Sequence, residues 1–240
     1  MGYWKPKYYP APSAETVKEN AVKSAEKARK KGLVYKPVII EGRKITKSWW
    51  GNAWCENLER YADFESRIDR GKRYVRNGSV IDLQISRGKA SARVQGTRKS
   101  PYKIEVRISP LSEEKCVSIL KRCGRKPDSL EALVSGNFPE ELKDLFFEKD
   151  GLFPSPGEIS FMCSCPDWAL MCKHVAATLY GIGARFDENP LLFFELRGID
   201  VDRFIDSAIH DRIEEMLSMA DNRTDRMMDE EDLTSLFGVL

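Results

Sequence analysis

The sequence predicts an α+β protein in which a small antiparallel three-stranded meander with helices is followed by a helical connector and a cysteine- and histidine-rich module. Apolar and polar residues alternate over 81–85, 90–94 and 102–108, as they do in half-buried strands. Apolar residues recur at helical spacing on both sides of these segments. The 240 residues and 42% hydrophobic content are enough to build a core.

Changes in composition and turn-forming residues divide the chain into five predicted segments. These are a basic N-terminal arm and helix (1–46), a helix plus the three-stranded meander (47–110), a helical connector (111–152), a cysteine- and histidine-rich finger (153–198), and a C-terminal helix with an acidic tail (199–240).

The N-terminal segment predicts one lysine-rich helix and one short strand. Ser13 is a typical N-cap and Gly32 a typical C-cap, and the apolar stripe between them is thin. A thin stripe favours a solvated surface helix over an arm dedicated to nucleic acid. The strand is predicted at 38–40.

The second segment opens with a helix over 47–61, because Trp50, Trp54 and Leu58 recur at four-residue spacing. A short basic helix ending at Gly78 precedes the meander. The connector predicts helices over 112–122, 128–134 and 139–147. Residues 151–157 predict a linker that leads into a strand over 158–162.

Charge is strongly segregated, although the net charge is only +2. Residues 1–47 contain 12 basic and 4 acidic residues, and residues 68–107 contain 11 basic and 3 acidic residues. The remainder of the chain holds 16 basic and 30 acidic residues. Segregation of this kind indicates either a polyanionic partner for the N-terminal half or pairing between the halves.

Two groups of cations are candidates for contacts with phosphate. Period-two geometry places the first group on the polar face of the meander, and the second group lies on the short basic helix upstream. The first comprises Arg93, Lys103 and Arg107, and the second comprises Arg70, Lys72, Arg73 and Arg76. A solvated charged face is the competing interpretation.

The most specific chemistry lies between Cys163 and His174, where the pattern C-x-C-x6-C-x-H supplies three cysteines and one histidine in twelve residues. Zn2+ prefers a tetrahedral set of thiolate and imidazole ligands, so Cys163, Cys165, Cys172 and His174 predict one zinc ion. Four protein ligands close the site, which predicts a structural ion.

Geometry constrains how these ligands converge. Residues two apart in a helix point in nearly opposite directions, which places Cys172 at the mouth of a helix and His174 in its first turn. The helix is predicted to continue to about Arg185. Its buried stripe is predicted to contain Val175, Leu179, Ile182 and Phe186. Trp168 is expected to pack inside the finger's own small core.

The cysteines allow two other interpretations. Disulfides suit small secreted domains, but this chain shows no secretory signal and its other cysteines have no partner spacing. A Cys-His nucleophile pair is the second alternative, and three cysteines within ten residues favour metal.

The pattern, with Pro-Asp-Trp after its second cysteine, resembles the SWIM zinc finger family. A second stretch, over 48–108, is similar to prokaryotic SWIM proteins that are associated with helicase-like ATPases of the Swi/Snf class. This second similarity lies in Trp49-Trp50-Gly51, Arg70-Gly71, Tyr74 to Gly78, Gln95-Gly96 and Pro101-Tyr102. The resemblance implies zinc ligation by the four residues above and a Swi/Snf-class ATPase as partner.

The sequence offers little that indicates catalysis or a membrane. Paired carboxylates beside a histidine, a phosphate-binding glycine loop and a nucleophile motif are missing, so we expect neither an enzyme nor a small-molecule substrate. No apolar run approaches the ~18 residues of a membrane helix. A reducing cytoplasmic location is expected.

Two functional hypotheses follow. In the first, a non-enzymatic zinc protein binds nucleic acid, DNA in particular, through its basic face as an accessory to a helicase-like ATPase. In the second, the finger and the acidic tail dock a partner ATPase as a protein adaptor, without direct contact with nucleic acid.

Overall fold

A computed structural model describes residues 13–61, 65–124, 143–148 and 151–200 continuously, with residues 202, 206, 209, 210, 213, 214 and 216–218 beyond them. The chain divides into two compact units, Met1–Val201 and Asp202–Leu240. The five-segment division stays a prediction. The connector helix at 128–134 and the start of the one at 139–147 lie outside the described residues, as does most of the acidic tail.

The sheet of the first unit has four antiparallel strands. They are β1 (Val80–Ser86), β2 (Lys89–Val94), β3 (Tyr102–Ile108) and β4 (Ile159–Cys163), in that spatial order. The α+β class and the spans of the meander are confirmed, but the sheet is not limited to three strands. The segment before the cysteines joins β3, with Ile108 opposite Ile159 and Ile104 opposite Cys163. Pairing between segments fifty residues apart leaves no local sequence signal.

The described residues of the first unit form seven helices. They are α1 (Ala14–Arg29), α2 (Trp49–Glu59), α3 (Glu65–Arg76), α4 (Glu113–Gly124), α5 (Asp144–Phe147), α6 (Lys173–Glu188) and α7 (Leu192–Leu196). Hydroxyl caps set two of the starts, as serine does at many helix N-termini. Ser13 Oγ accepts from Thr16 N at 3.2 Å, and Ser48 Oγ accepts from Gly51 N at 3.0 Å.

The helix α6 lies in the middle of the unit. Gly181 faces the sheet, within reach of Leu83 and Val80, whereas Gly183 faces Trp54 and Cys55 of α2. The predicted stripe is buried, but so are most other residues of this helix from His174 to Phe186. A helix covered on both sides shows burial all round. The unit therefore has three layers: the sheet, α6, and the pair α2 and α3.

The close approach of α3 to α6 depends on a glycine. A Cβ on Gly71 would lie 2.5 Å from the Cβ of Ala176 and 3.0 Å from the backbone nitrogen of Ala177. Real Cβ atoms do not come so close, so glycine is needed for these helices to meet at this point. The contact brings α3 against the first turns of the helix that carries His174.

An aromatic cluster fills the other end of α6. The Trp54 indole nitrogen donates to the Leu179 carbonyl at 3.0 Å, and its ring meets Phe186 and Phe193 edge-on. Residues 151–154 are buried, and Phe153 joins the same cluster. The linker predicted at 151–157 leads into β4, and its first half is buried because these side chains complete the core.

Residues 36–38 run beside β1 without forming a strand. Val38 N donates to Val80 O at 3.0 Å, and Leu83 N donates to Lys36 O at 2.9 Å. The short strand predicted at 38–40 is not formed, because only these isolated bonds replace a ladder. They cover an edge of the sheet that would otherwise expose its polar backbone.

Arg197 is a buried cation that joins three parts of the unit, and its side chain is only 1% exposed. The guanidinium donates to Ser109 O at 2.8 Å and Gly151 O at 3.3 Å, and it pairs with Glu158 at 2.6 Å. A buried charge is tolerated when it is paired and hydrogen-bonded in this way.

Among the described residues, no helix combines the length and apolar character needed to cross a bilayer.

Candidate metal centre

The first two candidate ligands follow from the end of β4. Cys163 is the last residue of that strand, and Cys165 lies just beyond it. The turn is fixed to β3 because Ser164 N donates to Lys103 O at 3.0 Å and Ser164 Oγ accepts from Lys103 N at 3.0 Å. The sheet therefore determines where the first two sulfurs stand.

The other two candidate ligands begin α6. Cys172 is the N-cap residue with extended backbone angles, φ −70° and ψ 165°, and its carbonyl accepts from Ala176 N at 2.9 Å. His174 lies in the first turn and is 2% exposed. The predicted placement of Cys172 at the helix mouth and of His174 in the first turn is confirmed. This placement turns both side chains towards the same point.

All four predicted ligands come together. The three sulfurs and a nitrogen of His174 lie within 4.8 Å of one another. Nδ1 of His174 is 3.9 Å from the sulfur of Cys163 and 3.9 Å from the sulfur of Cys172. A tetrahedral ion with sulfur at about 2.3 Å and nitrogen at about 2.0 Å requires ligand separations of about 3.5–3.8 Å. The donor set and its spacing fit one metal ion.

The cysteines of the cluster are free thiols. A hydrogen bond from the Cys163 thiol lowers the pKa of Cys172 to about 4, against the opposing effect of burial, and His174 and the Val175 N–H act in the same direction. The same bond raises the pKa of Cys163, and burial raises it further. Burial likewise raises the pKa of Cys165. A divalent cation binding here would displace the thiol protons of Cys163 and Cys165.

Two tyrosines that sequence reasoning missed hold the imidazole. The Tyr102 ring stacks on His174 with centroids 4.1 Å apart, and the Tyr74 ring meets it edge-on at 5.5 Å. Nε2 of His174 is buried and has no hydrogen-bond partner among the described residues. Tyr74 is in α3 and Tyr102 begins β3, so nothing in the local pattern around His174 indicates either contact.

Gly96 completes this packing. A Cβ at this position would lie 2.7 Å from the Tyr102 ring and 3.2 Å from Nε2 of His174. The neighbouring Gln95, fully buried, fixes the loop by donating to Gly96 O at 3.2 Å and to Arg98 O at 2.6 Å. The close fit orients the imidazole so that Nδ1 faces the sulfurs.

The loop between Cys165 and Cys172 differs from expectation. Trp168 was predicted to pack inside the finger, yet its side chain is 82% exposed, and that of Leu170 is 66% exposed. Asp167 ties the loop to α3 through a salt bridge to Arg67 at 3.1 Å. The prediction for Trp168 is wrong because Tyr102 and Tyr74, from other elements, already pack against His174.

The predicted phosphate-contacting residues fall into two separate places. Arg93, Lys103 and Arg107 are on the outer face of the sheet. Arg93 and Lys103 line an open groove of about 540 Å3 there, together with Asp82, Glu105 and Met162 among others. The second group lies on α3, which packs against the side of α6 that faces away from the sheet. The structure does not bring the two groups together.

The two groups also differ in how their charges are paired. Arg93 lies 3.7 Å from Asp82, and Arg107 and Lys89 lie 2.5 Å and 2.6 Å from Glu105. Two acids therefore offset part of the positive charge of the sheet face.

On α3, only Lys72 of the predicted group is paired, with Glu59 at 2.9 Å. Its ammonium also lies over the Tyr180 ring. Arg70, Arg73 and Arg76 are exposed. The side chain of Arg76 donates to the Arg43 carbonyl at 3.2 Å, which leaves its charge uncancelled.

Comparison with known proteins identifies an uncharacterized relative of this chain. No family model matches the sequence, and no solved structure matches it. The uncharacterized protein Rv2102 of Mycobacterium tuberculosis is 36% identical over 156 residues, which is 64% of this chain and 56% of that protein. The chain therefore spans little more than half the length of this curated relative, whose name assigns no activity.

Proposed function

We propose that the cluster holds one structural Zn2+ and that the chain is a non-enzymatic protein of the SWIM zinc finger type. The observation that carries the proposal is the convergence of three sulfurs and one imidazole nitrogen within 4.8 Å. Thiolate and imidazole are the ligands that zinc prefers, and four protein ligands leave no coordination position for a substrate. The resemblance of the ligand pattern to the SWIM family supports the same assignment.

The metal assignment is tested on the purified full chain by elemental analysis and zinc X-ray absorption. We expect one equivalent of zinc with three sulfur neighbours and one nitrogen neighbour. A zinc-free folded protein would refute the assignment. A bound oxygen ligand in place of one protein ligand would instead support a catalytic ion.

For its activity we propose nucleic-acid binding, to DNA in particular, as an accessory to a helicase-like ATPase of the Swi/Snf class. Support comes from the charge of the N-terminal half and from the exposed cations Arg70, Arg73 and Arg76 of α3. These carry the proposal better than the sheet face, where Arg93 and Arg107 are paired with acids. Phosphate contacts of this kind supply affinity without sequence readout.

Binding to duplex DNA is tested by anisotropy titration over a range of salt concentrations. Each neutralised phosphate contributes about −0.9 to the slope of log affinity against log salt, so three contacts predict about −2.7. Replacing Arg70, Arg73 and Arg76 together by glutamine should flatten that slope. A slope near zero in the unaltered protein would exclude phosphate contacts.

The adaptor hypothesis remains the second candidate, and the pairing of the sheet-face cations favours it. If Arg93 and Arg107 serve Asp82 and Glu105, the basic residues there balance the protein's own acids. A protein that ignores DNA but captures a purified Swi/Snf-class ATPase would support the adaptor. Loss of capture on removing residues 220–240 would assign docking to the acidic tail.

A further inference from the structure

An exposed indole stands at the border of the metal centre. Trp168 lies in the loop between Cys165 and Cys172, and its side chain is 82% exposed. The loop itself is held in place, because Asp167 pairs with Arg67 of α3 at 3.1 Å and accepts from Ala169 N at 3.3 Å. Tryptophan is enriched at binding interfaces, where its large ring supplies contact area.

Cations lie close to the same centre, over the rings of the two tyrosines that contact His174. Lys173 Nζ lies 5.8 Å from the centre of the Tyr74 ring, and Arg98 lies 5.1 Å from the centre of the Tyr102 ring. Arg70 is exposed one turn before Tyr74 on α3, and Lys99 is exposed beside Arg98. The charges therefore come from three different elements of the fold.

The charge balance of this border is positive. Arg67 is offset by Asp167. Four cations remain: Arg70, Arg98, Lys99 and Lys173. Two negative charges oppose them. One is Asp69, next to Arg70 in α3, and the other is the formal charge that three thiolates would retain around a divalent ion. The cations thus exceed what neutralising the metal centre requires.

We propose that the metal-centre rim, formed by Arg70, Arg98, Lys99, Trp168 and Lys173, binds single-stranded nucleic acid. The inference rests on the proposed nucleic-acid function and deepens it by naming the site and the form of the ligand. The cations contact the phosphates, and one base stacks on Trp168. Single strands fit this surface because their bases are free to stack on an aromatic side chain, whereas bases in a duplex are already stacked.

The first test measures anisotropy of labelled oligo(dT), oligo(U) and a blunt DNA duplex with the zinc-loaded full chain. Loss of one stacked base costs about tenfold or more in affinity, so Trp168→Ala should weaken single-strand binding by at least that factor. Duplex binding should change less than about twofold, and Trp168→Phe should restore most single-strand affinity. Comparing oligo(dT) with oligo(U) shows whether DNA or RNA is preferred.

Leu170→Ala is the matched control, because Leu170 is an exposed apolar side chain in the same loop. It should leave single-strand affinity unchanged. Unaltered single-strand binding by Trp168→Ala, or an equal loss on single strands and duplex, would overturn the rim proposal. Zinc content and melting temperature, measured on each variant, confirm that the fold is intact.

The second test separates the rim from the sheet face. Replacing Arg98 and Lys99 by glutamine should flatten the single-strand salt slope by about 1.4, at about 0.7 per phosphate. The charge-matched control replaces Arg93 and Lys103 of the sheet face and should leave the slope unchanged. The reverse result would move the site to the sheet. Absence of binding to every oligonucleotide would refute the proposed nucleic-acid function, and with it the rim.

Discussion

His174 is held by groups from four parts of the fold. Its Nδ1 atom faces the sulfurs of Cys163 and Cys172, while Tyr102 stacks on the ring and Tyr74 meets it edge-on. The imidazole is therefore fixed by packing, apart from any role as a ligand. A substitution here removes both contributions at once.

We predict that His174→Ala loses stoichiometric zinc and melts far below the unaltered protein. Structural zinc contributes ~10 kcal/mol or more to folding in small modules, and a cavity between the two tyrosines adds to the cost. Elemental analysis and thermal denaturation measure the two effects. Cys55→Ala, which removes a buried thiol outside the cluster, should retain full zinc. Retention of one equivalent by His174→Ala would contradict the assignment.

We also predict that Gly96→Ala destabilises the protein by about 1–3 kcal/mol, because overpacking forces neighbouring side chains to shift. The added methyl group would meet the Tyr102 ring at 2.7 Å. Gly157→Ala provides the control, since a Cβ there meets nothing within 4 Å. Urea denaturation gives the free energy of unfolding of both variants. Equal values would show that the loop yields without cost.

The helices and strands whose signals are local could be read from the sequence. Alternation gave β1, β2 and β3, the Ser13 cap marked the start of α1, and residue spacing placed Cys172 before the helix that carries His174. All four candidate ligands were found for the same reason: their chemistry is concentrated in twelve residues.

Contacts between distant segments could not be read in this way. The pairing of β4 with β3 joins residues separated by about fifty positions, and Tyr74 and Tyr102 reach His174 from other elements. Trp168 was misplaced because its packing depends on whether the space beside His174 is already filled. Each error concerns a choice that the local sequence does not determine.

The junction between β4 and the end of α7 should respond to acid. Burial alone would raise the pKa of Glu158, but hydrogen bonds from Ser155 and Arg197 more than offset this and lower the pKa below its usual 4.5. A lowered pKa stabilises the fold above about pH 4.5, and this contribution is lost as pH falls through the folded-state value.

We therefore predict that the difference in unfolding free energy between the unaltered protein and Glu158→Gln shrinks as pH falls below about 4.5. Urea denaturation at several pH values between about 3 and about 6 measures this difference. Glu19→Gln, on the exposed surface of α1, should show no such trend. A difference that does not change with pH would mean that the Arg197 contact contributes no charge-dependent stability.

For the first unit as a whole, the central position of α6 links the candidate metal centre to the entire core. This helix starts at the metal centre, packs against the sheet through Gly181, and reaches Trp54 and Cys55 through Gly183. Disturbing its first turn therefore affects both neighbouring layers. A finger that was only appended to the fold would not have this effect.

We predict that removing zinc with excess chelator lowers the melting temperature of the whole unit by more than about 20 °C. The estimate takes ~10 kcal/mol of zinc-binding energy and a shift of about 2–4 °C per kcal/mol for a chain of this size. The circular dichroism and tryptophan fluorescence signals of the folded state should be lost together, because Trp54 packs on α6. Zinc should restore both signals. Chelation that leaves tryptophan fluorescence unchanged would show that the core folds independently of the metal.

The attachment of Cys163 and Ser164 to β3 bears on how this motif can be transplanted. Residues 159–188 look like a portable cassette, yet the cysteine-bearing strand owes its position to Lys103 and Ile104. Grafting that segment into another protein would remove β3, which positions the sulfurs of Cys163 and Cys165. It would also expose the face of α6 that α3 covers at Gly71. Engineers who want to move the motif would have to carry the preceding hairpin and α3 with it.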